Sequence, residues 1–153
     1  MKEASKLYSV DLKPRVPVAA VYCLDHRFVQ QHQDFIVKEL GIPFYTPYSY
    51  PAGPRVYLDI ETRNVFLGAL EKVSIDHHKI RRIILIAHRD CRAYGGSVNF
   101  RSLEEERATH ERDLRLAREK LNGKFPEIDA ELYYMEIVSQ TGDEGKVQFQ
   151  LVR

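Results

Sequence analysis

Residues 16–22, Val-Pro-Val-Ala-Ala-Val-Tyr, form an unbroken apolar run, the pattern of a strand buried on both faces, as parallel strands are. Pro17 is tolerable there because the first residues of a strand need not donate to a ladder. The period then changes. Phe28, Phe35, Ile36 and Leu40 fall at helical spacing over residues 28–40, with Gly41 placed to end the helix. Residues 42–48 read as a second strand, and 48–54, Tyr-Ser-Tyr-Pro-Ala-Gly-Pro, as a rigid loop. Over 60–74, Val65, Phe66, Ala69, Leu70 and Val73 share one face of an amphipathic helix. Residues 82–87, Arg-Ile-Ile-Leu-Ile-Ala, predict another buried strand. After the Gly95-Gly96 turn, residues 103–121 predict a long helix with Leu103, His110, Leu114, Ala117 and Leu121 inward, and Glu111 with Arg115 as an i,i+4 pair on its wet side. Residues 130–138 and 147–152 complete the strands, and Thr141-Gly-Asp-Glu-Gly145 is suited to join them as a hairpin.

Strands alternating with helices predict an α/β fold: a single-domain, mainly parallel sheet of about four to five strands flanked by helices, with the last strand antiparallel. No internal repeat, low-complexity tract or linker divides residues 1–153, so the chain reads as one domain. Charged residues at 29% and apolar ones at 44% are ordinary globular proportions. A formal net charge of +1 without any basic block argues against nucleic acid as a partner. The first ten residues lack the apolar core of a signal peptide, and no run reaches membrane-spanning length. The expectation is therefore a soluble cytoplasmic protein with reduced thiols, free of any membrane. In that compartment a Cys23–Cys91 disulfide is disfavoured.

The candidate chemistry gathers at the ends of two predicted strands. Cys23-Leu-Asp25-His-Arg27 follows the first, and His88-Arg-Asp90-Cys91 follows the strand at 82–87. Zinc takes thiolate and imidazole ligands, and a catalytic zinc site keeps three protein ligands and one open position. Cys23, His88 and Cys91 make such a set if the two strands lie side by side, as ligand sites beyond the carboxyl ends of a parallel sheet would have it. Asp25 and Arg27 would then stand beside the metal as a carboxylate–guanidinium pair. A lone strand-end cysteine is ordinarily a small buried hydrophobe. Here both occupy the same structural position among charged residues that a core would reject. His110, on an apolar stripe, reads as a hydrogen-bonded interface histidine and not a ligand. A cysteine-dependent phosphatase is set aside, because six residues beyond Cys91 its arginine is replaced by Ser97.

Cys23-x-Asp25-x-Arg27 together with His88-x-x-Cys91 at the end of an apolar strand resembles the β-class carbonic anhydrases, over about residues 16–122. Ala52-Gly53 and the helix before the His-x-x-Cys strand match in position. The resemblance implies a zinc ion held by Cys23, His88 and Cys91. It implies reversible hydration of carbon dioxide to bicarbonate by a zinc-activated water, oriented by a catalytic Asp25–Arg27 dyad. It also implies that Asp25 can become a fourth ligand in a closed state, and that the protein is a homodimer with residues 1–15 reaching toward the partner. His26, between the dyad residues, is a candidate proton shuttle, although a loop histidine without a role is the plainer reading.

The chain departs from the family at several places. Arg92 follows Cys91 where the family has glycine, and Tyr50-Pro-Ala-Gly-Pro54 lacks the polar residues that flank Ala-Gly. The residues before Cys23 contain no glutamine and are fewer than the family's helical arm. Two alternatives stay open: hydrolysis of another small heterocumulene at the same site, and a non-catalytic zinc-stabilised binding or regulatory protein in which Arg92 fills the substrate space.

Overall fold

The strands are β1 (Val18–Cys23), β2 (Thr46–Tyr50), β3 (Arg82–His88), β4 (Asp129–Thr141) and β5 (Glu144–Val152), and the α-helices are α1 (Val29–Asp34), α2 (Arg63–Ala69) and α3 (Leu103–Lys124). The computed structural model describes residues 4–12 and 16–153. The sheet runs in the order β2-β1-β3-β4-β5. Its first four strands are parallel and β5 returns antiparallel along β4. The chain leaves β1 for β2 on one side and then crosses to β3 on the other. The gap between β1 and β3 is thus the switch point of the sheet, where a crevice opens beyond the strand ends.

Every residue of β1 is buried, and so is β3 beyond Arg82, because both faces of the sheet are covered. Ala19, Val21, Ile83 and Leu85 point to one face and pack with Leu70, Leu114, Ala117 and Leu121 from the helices. Val18, Ala20, Tyr22, Ile84 and Ile86 point to the other and meet Phe28, Phe35 and Ile36. This two-residue alternation between faces is that of a pleated strand. Burying one such Leu, Ile or Phe side chain contributes roughly 1.5–3 kcal/mol.

The element bounds differ from the expected ones for physical reasons. The helix expected over 28–40 is α1 followed by a wider turn, Phe35–Glu39, in which the Leu40 N–H donates to the Phe35 carbonyl five residues back at 3.0 Å. Gly41, at φ 65°, then ends it, and the Ile42 N–H reaches the Ile36 carbonyl at 3.1 Å. Ile42 is buried under that helix and Pro43 follows it, so the second strand starts at Thr46, beyond the expected 42. Pro47 is accommodated because β2 is an edge strand.

The second amphipathic helix begins at Arg63 and continues as a wide turn over Leu70–His77. That turn changes the angle between successive side chains. Val65 and Val73, expected inward, are exposed, while Leu70 and Ser74 are buried. Ser74 Oγ is satisfied by the Tyr48 hydroxyl at 2.7 Å. In α3, Ser102 Oγ accepts the Glu105 N–H at 3.1 Å as an N-cap, and Glu104 to Glu106 favour the positive helix end. Leu103 is exposed, and the inward stripe starts at Glu106. Gly142 at φ 59° turns the β4–β5 hairpin, and both strands run longer than expected. Of the segment expected to reach a partner, residues 1–3 and 13–15 lie outside the described residues, and the rest is exposed.

Candidate metal centre

Cys23 is the last residue of β1 and His88 the last of β3, on adjacent parallel strands. Beyond His88 the chain turns sharply at Asp90, which holds a left-handed φ of 58°. The turn brings Cys91 back over the strand ends. The donor atoms of Cys23, His88 and Cys91 all lie within 4.8 Å of one another, and all three residues are buried. The two Sγ atoms are 4.0 Å apart and form no disulfide. A tetrahedral zinc with Zn–S of about 2.3 Å would set its sulfurs about 3.8 Å apart.

Each ligand candidate is prepared from its surroundings. His88 Nδ1 lies 2.7 Å from the Arg89 carbonyl oxygen. A carbonyl only accepts, so Nδ1 carries the proton and Nε2 the lone pair. Nε2 is buried and has no hydrogen-bond partner among the described residues. A polar atom left that way normally has a bound partner. The Cys91 thiol donates toward Cys23, and this bond holds the Cys23 thiol below its ordinary value, against the opposing effect of burial. Cys91 is pushed up by the same contact. One thiolate opposes the second, and a divalent cation between the sulfurs removes that opposition. The site therefore fits zinc by donor type, spacing and tautomer.

The Ala52-Gly53 pair has a steric role. A Cβ at Gly53 would sit 2.7 Å from the Tyr22 carbonyl carbon and 2.8 Å from the Cys23 nitrogen, so only glycine lets the loop lie against the end of β1. Ala52 packs on Cys23 and Cys91.

Arg27 grips Asp25 as a fork, Nε to Oδ1 at 3.0 Å and Nη2 to Oδ2 at 2.7 Å. The Arg27 guanidinium holds the Asp25 carboxyl at about 2. The same guanidinium donates through Nη1 to Asp90 Oδ2 and through Nη2 to the Asp90 carbonyl, both at 2.9 Å. Burial would raise the Asp90 carboxyl, but the bonds from Arg27 and from the Ser97 N–H outweigh it and leave it below the usual range. Phe28 lies under the guanidinium and against the His88 ring. A cavity of about 560 Å³ opens over Cys23, bordered by Asp25, His26, Arg27, Pro51 and Arg92. Arg92 stands at its rim with 75% of its side chain exposed, 4.0 Å from Asp90, so it brings a cation to the mouth and does not plug it.

The structure thus brings all five expected site residues to one crevice. His26 lies on the rim, exposed. His110 departs from expectation: it is buried, but neither ring nitrogen has a hydrogen-bond partner among the described residues. It is held by the Tyr94 ring at 4.2 Å, and burial lowers it to about 4. Sequence reasoning assigned no role to Asp90 or Glu106. Glu106 is fully buried and accepts the Asp90 N–H at 2.6 Å. Its signal was a glutamate one turn before His110 on an otherwise apolar stripe.

No protein-family model matches the chain. It is 28% identical over 123 residues to an uncharacterized protein of Rickettsia conorii, a match covering 75% of this chain and 64% of that protein. The chain therefore spans a little under two thirds of that relative's length. Among solved structures it is similar to β-carbonic anhydrase isoform I of Trichomonas vaginalis, with a TM-score of 0.57, 15% identity, and 96% of this chain and 88% of that one covered. At that identity the likeness speaks for the fold alone: the chain has the β-carbonic anhydrase fold, with a buried Cys-His-Cys group able to hold a metal at its switch point.

Proposed function

We propose that residues 1–153 form one zinc domain that hydrates carbon dioxide reversibly to bicarbonate. The observation that carries the reading is the convergence of Cys23, His88 and Cys91 within 4.8 Å beneath a cavity whose wall is the Asp25–Arg27 pair. Zinc held by these ligands supplies a Lewis acid that makes water a nucleophile near neutral pH. The protein's own groups do the rest. Arg27 donates to both Asp25 oxygens, which would hold that carboxylate back from the Cys23, His88 and Cys91 ligand set. Asp25, held firmly in its ionised form by Arg27, is placed to accept a hydrogen bond and so to orient a reacting group at the substrate. The Arg27 and Arg92 cations at the mouth favour an anionic product. Pro51 and the apolar edge of Cys23 offer carbon dioxide a nonpolar wall. His26 on the rim is the candidate proton acceptor toward solvent.

The reading extends to assembly as a homodimer in the cytoplasm. In support, exposed Phe44, Tyr50, Ile60, Val65 and Val73 cluster in sequence around edge strand β2 and helix α2. No helix among the described residues is long and apolar enough to cross a membrane. The test is metal content and stopped-flow carbon dioxide hydration by the zinc-loaded protein. About one zinc per chain with a rate well above buffer is expected. Zinc without any rate, in the parent and in Arg92→Gly alike, would replace this reading with that of a non-catalytic zinc protein.

A further inference from the structure

We infer that Glu106, on α3 and outside the metal-ligand set, is the positioning residue of the loop that carries two of the ligands. The inference rests on the reading of Cys23, His88 and Cys91 as a metal site. Glu106 is wholly buried, yet among the described residues no cationic side chain forms an ion pair with it beyond a 4.0 Å approach of His110, whose ring is kept neutral by its burial. One of its oxygens accepts the Asp90 N–H at 2.6 Å and the other has no partner among the described residues. Burying a carboxyl group with one oxygen unpaired is costly, and the one hydrogen bond it does make goes to the loop between His88 and Cys91. Asp90 is where that loop needs help: it lies between His88 and Cys91 in a left-handed conformation at φ 58°, which side-chain-bearing residues seldom adopt. The Glu106 carboxylate fixes the orientation of the Asp90 peptide. That fixes the direction in which the chain returns to Cys91 Sγ. It also fixes the Asp90 carboxylate and carbonyl, which together take Arg27 Nη1 and Nη2. Through them Glu106 sets where Arg27 stands and hence where Arg27 holds Asp25.

The required feature is an acceptor oxygen at the reach of a glutamate side chain. Glu106→Gln keeps an acceptor at that reach, Glu106→Asp shortens the reach by one methylene, and Glu106→Ala removes the acceptor. The probe is Co2+, titrated into metal-free protein and followed by its thiolate-to-cobalt charge-transfer absorbance, with thermal unfolding of each metal-free variant measured alongside. Glu106→Ala and Glu106→Asp are expected to bind Co2+ about 10- to 100-fold more weakly than the parent, the usual loss for a group supporting a ligand. Glu106→Gln should stay within about threefold, well under that loss. A role confined to the stability of α3 would lower the unfolding temperature and leave Co2+ affinity unchanged, which would overturn the inference. So would Glu106→Gln losing as much affinity as Glu106→Asp. Should Glu106→Ala fail to fold, the comparison of Gln with Asp decides alone. Hydration activity is not read, so a parent that binds Co2+ through its thiolates but hydrates nothing would defeat the proposed function and leave this inference standing.

Discussion

Arg27 binds two carboxylates at once, Asp25 through a fork and Asp90 through Nη1 and its carbonyl. An exposed ion pair would be worth little, but this one is partly buried and bonded at five donor–acceptor contacts. Asp25→Asn should keep zinc, because the three proposed ligands are untouched, and should lose hydration activity by about 10²-fold, the scale for removing a group that orients a metal-bound reactant. A hydration assay at equal zinc content measures this, and an unchanged rate would remove Asp25 from the chemistry. Arg27→Ala should free Asp25 to take the fourth metal position, visible as an altered Co2+ spectrum together with lost activity. His110 gives a second residue-scale expectation. Its folded pKa of about 4 lies below the unfolded value of about 6.5. The unfolded chain therefore takes up a proton that the folded one refuses. Stability is full above about pH 6.5 and falls by up to roughly 1.4 kcal/mol per pH unit down to about 4. His32, lowered to about 3 by burial, adds a similar loss that continues further. Urea midpoints from pH 7 to 4.5 should fall, and His110→Phe should flatten the slope. A slope equal to the parent's would show that His110 titrates normally.

At the scale of elements, the site depends on how closely the loop after β2 approaches the end of β1. Gly53→Ala puts a methyl about where the Tyr22 carbonyl carbon and Cys23 nitrogen stand, at a glycine with φ 51°. The expected cost is about 1–3 kcal/mol in a urea titration. Because the crowded atoms are the Tyr22–Cys23 peptide that positions Cys23, Co2+ affinity should fall too. A variant as stable as the parent would mean that the loop can retreat freely. Element existence was legible from the pattern: the runs at 16–22 and 82–87 appear as β1 and β3, and the hairpin turn is where Gly142 allows it. Bounds and faces were less so. The wide turns at Phe35–Glu39 and Leu70–His77 break the 3.6-residue period on which face assignment rests. Val73, within the second of these turns, was expected inward for that reason.

At the scale of the whole molecule, a metal that binds only the folded chain stabilises it by mass action. A thousandfold excess over Kd contributes about 4 kcal/mol, which for a chain of this size raises Tm by roughly 8–16 °C. Adding a strong chelator should lower Tm by that much, and Cys91→Ser should match the chelated parent. A Tm indifferent to chelator would leave Cys23 and Cys91 as ordinary core residues. The proposed dimer predicts a dimeric mass by light scattering at micromolar concentration, and, if the exposed apolar residues of α2 contribute to it, Val65→Asp should shift it toward monomer. A monomeric parent would refute the dimer.

The chain by itself determined which residues have the chemistry to hold a metal, and that they follow two buried apolar runs. Thiolate, imidazole and carboxylate are recognisable from residue type, and a run of apolar residues has few ways to be buried. The order β2-β1-β3 was decided only in three dimensions, and it sets Cys23 beside His88 and Cys91. So were the second carboxylate on Arg27 and the buried Glu106 behind Asp90. These contacts join residues up to 68 positions apart in the chain. No local period encodes them, because they arise from packing a helix and two strand ends against one loop.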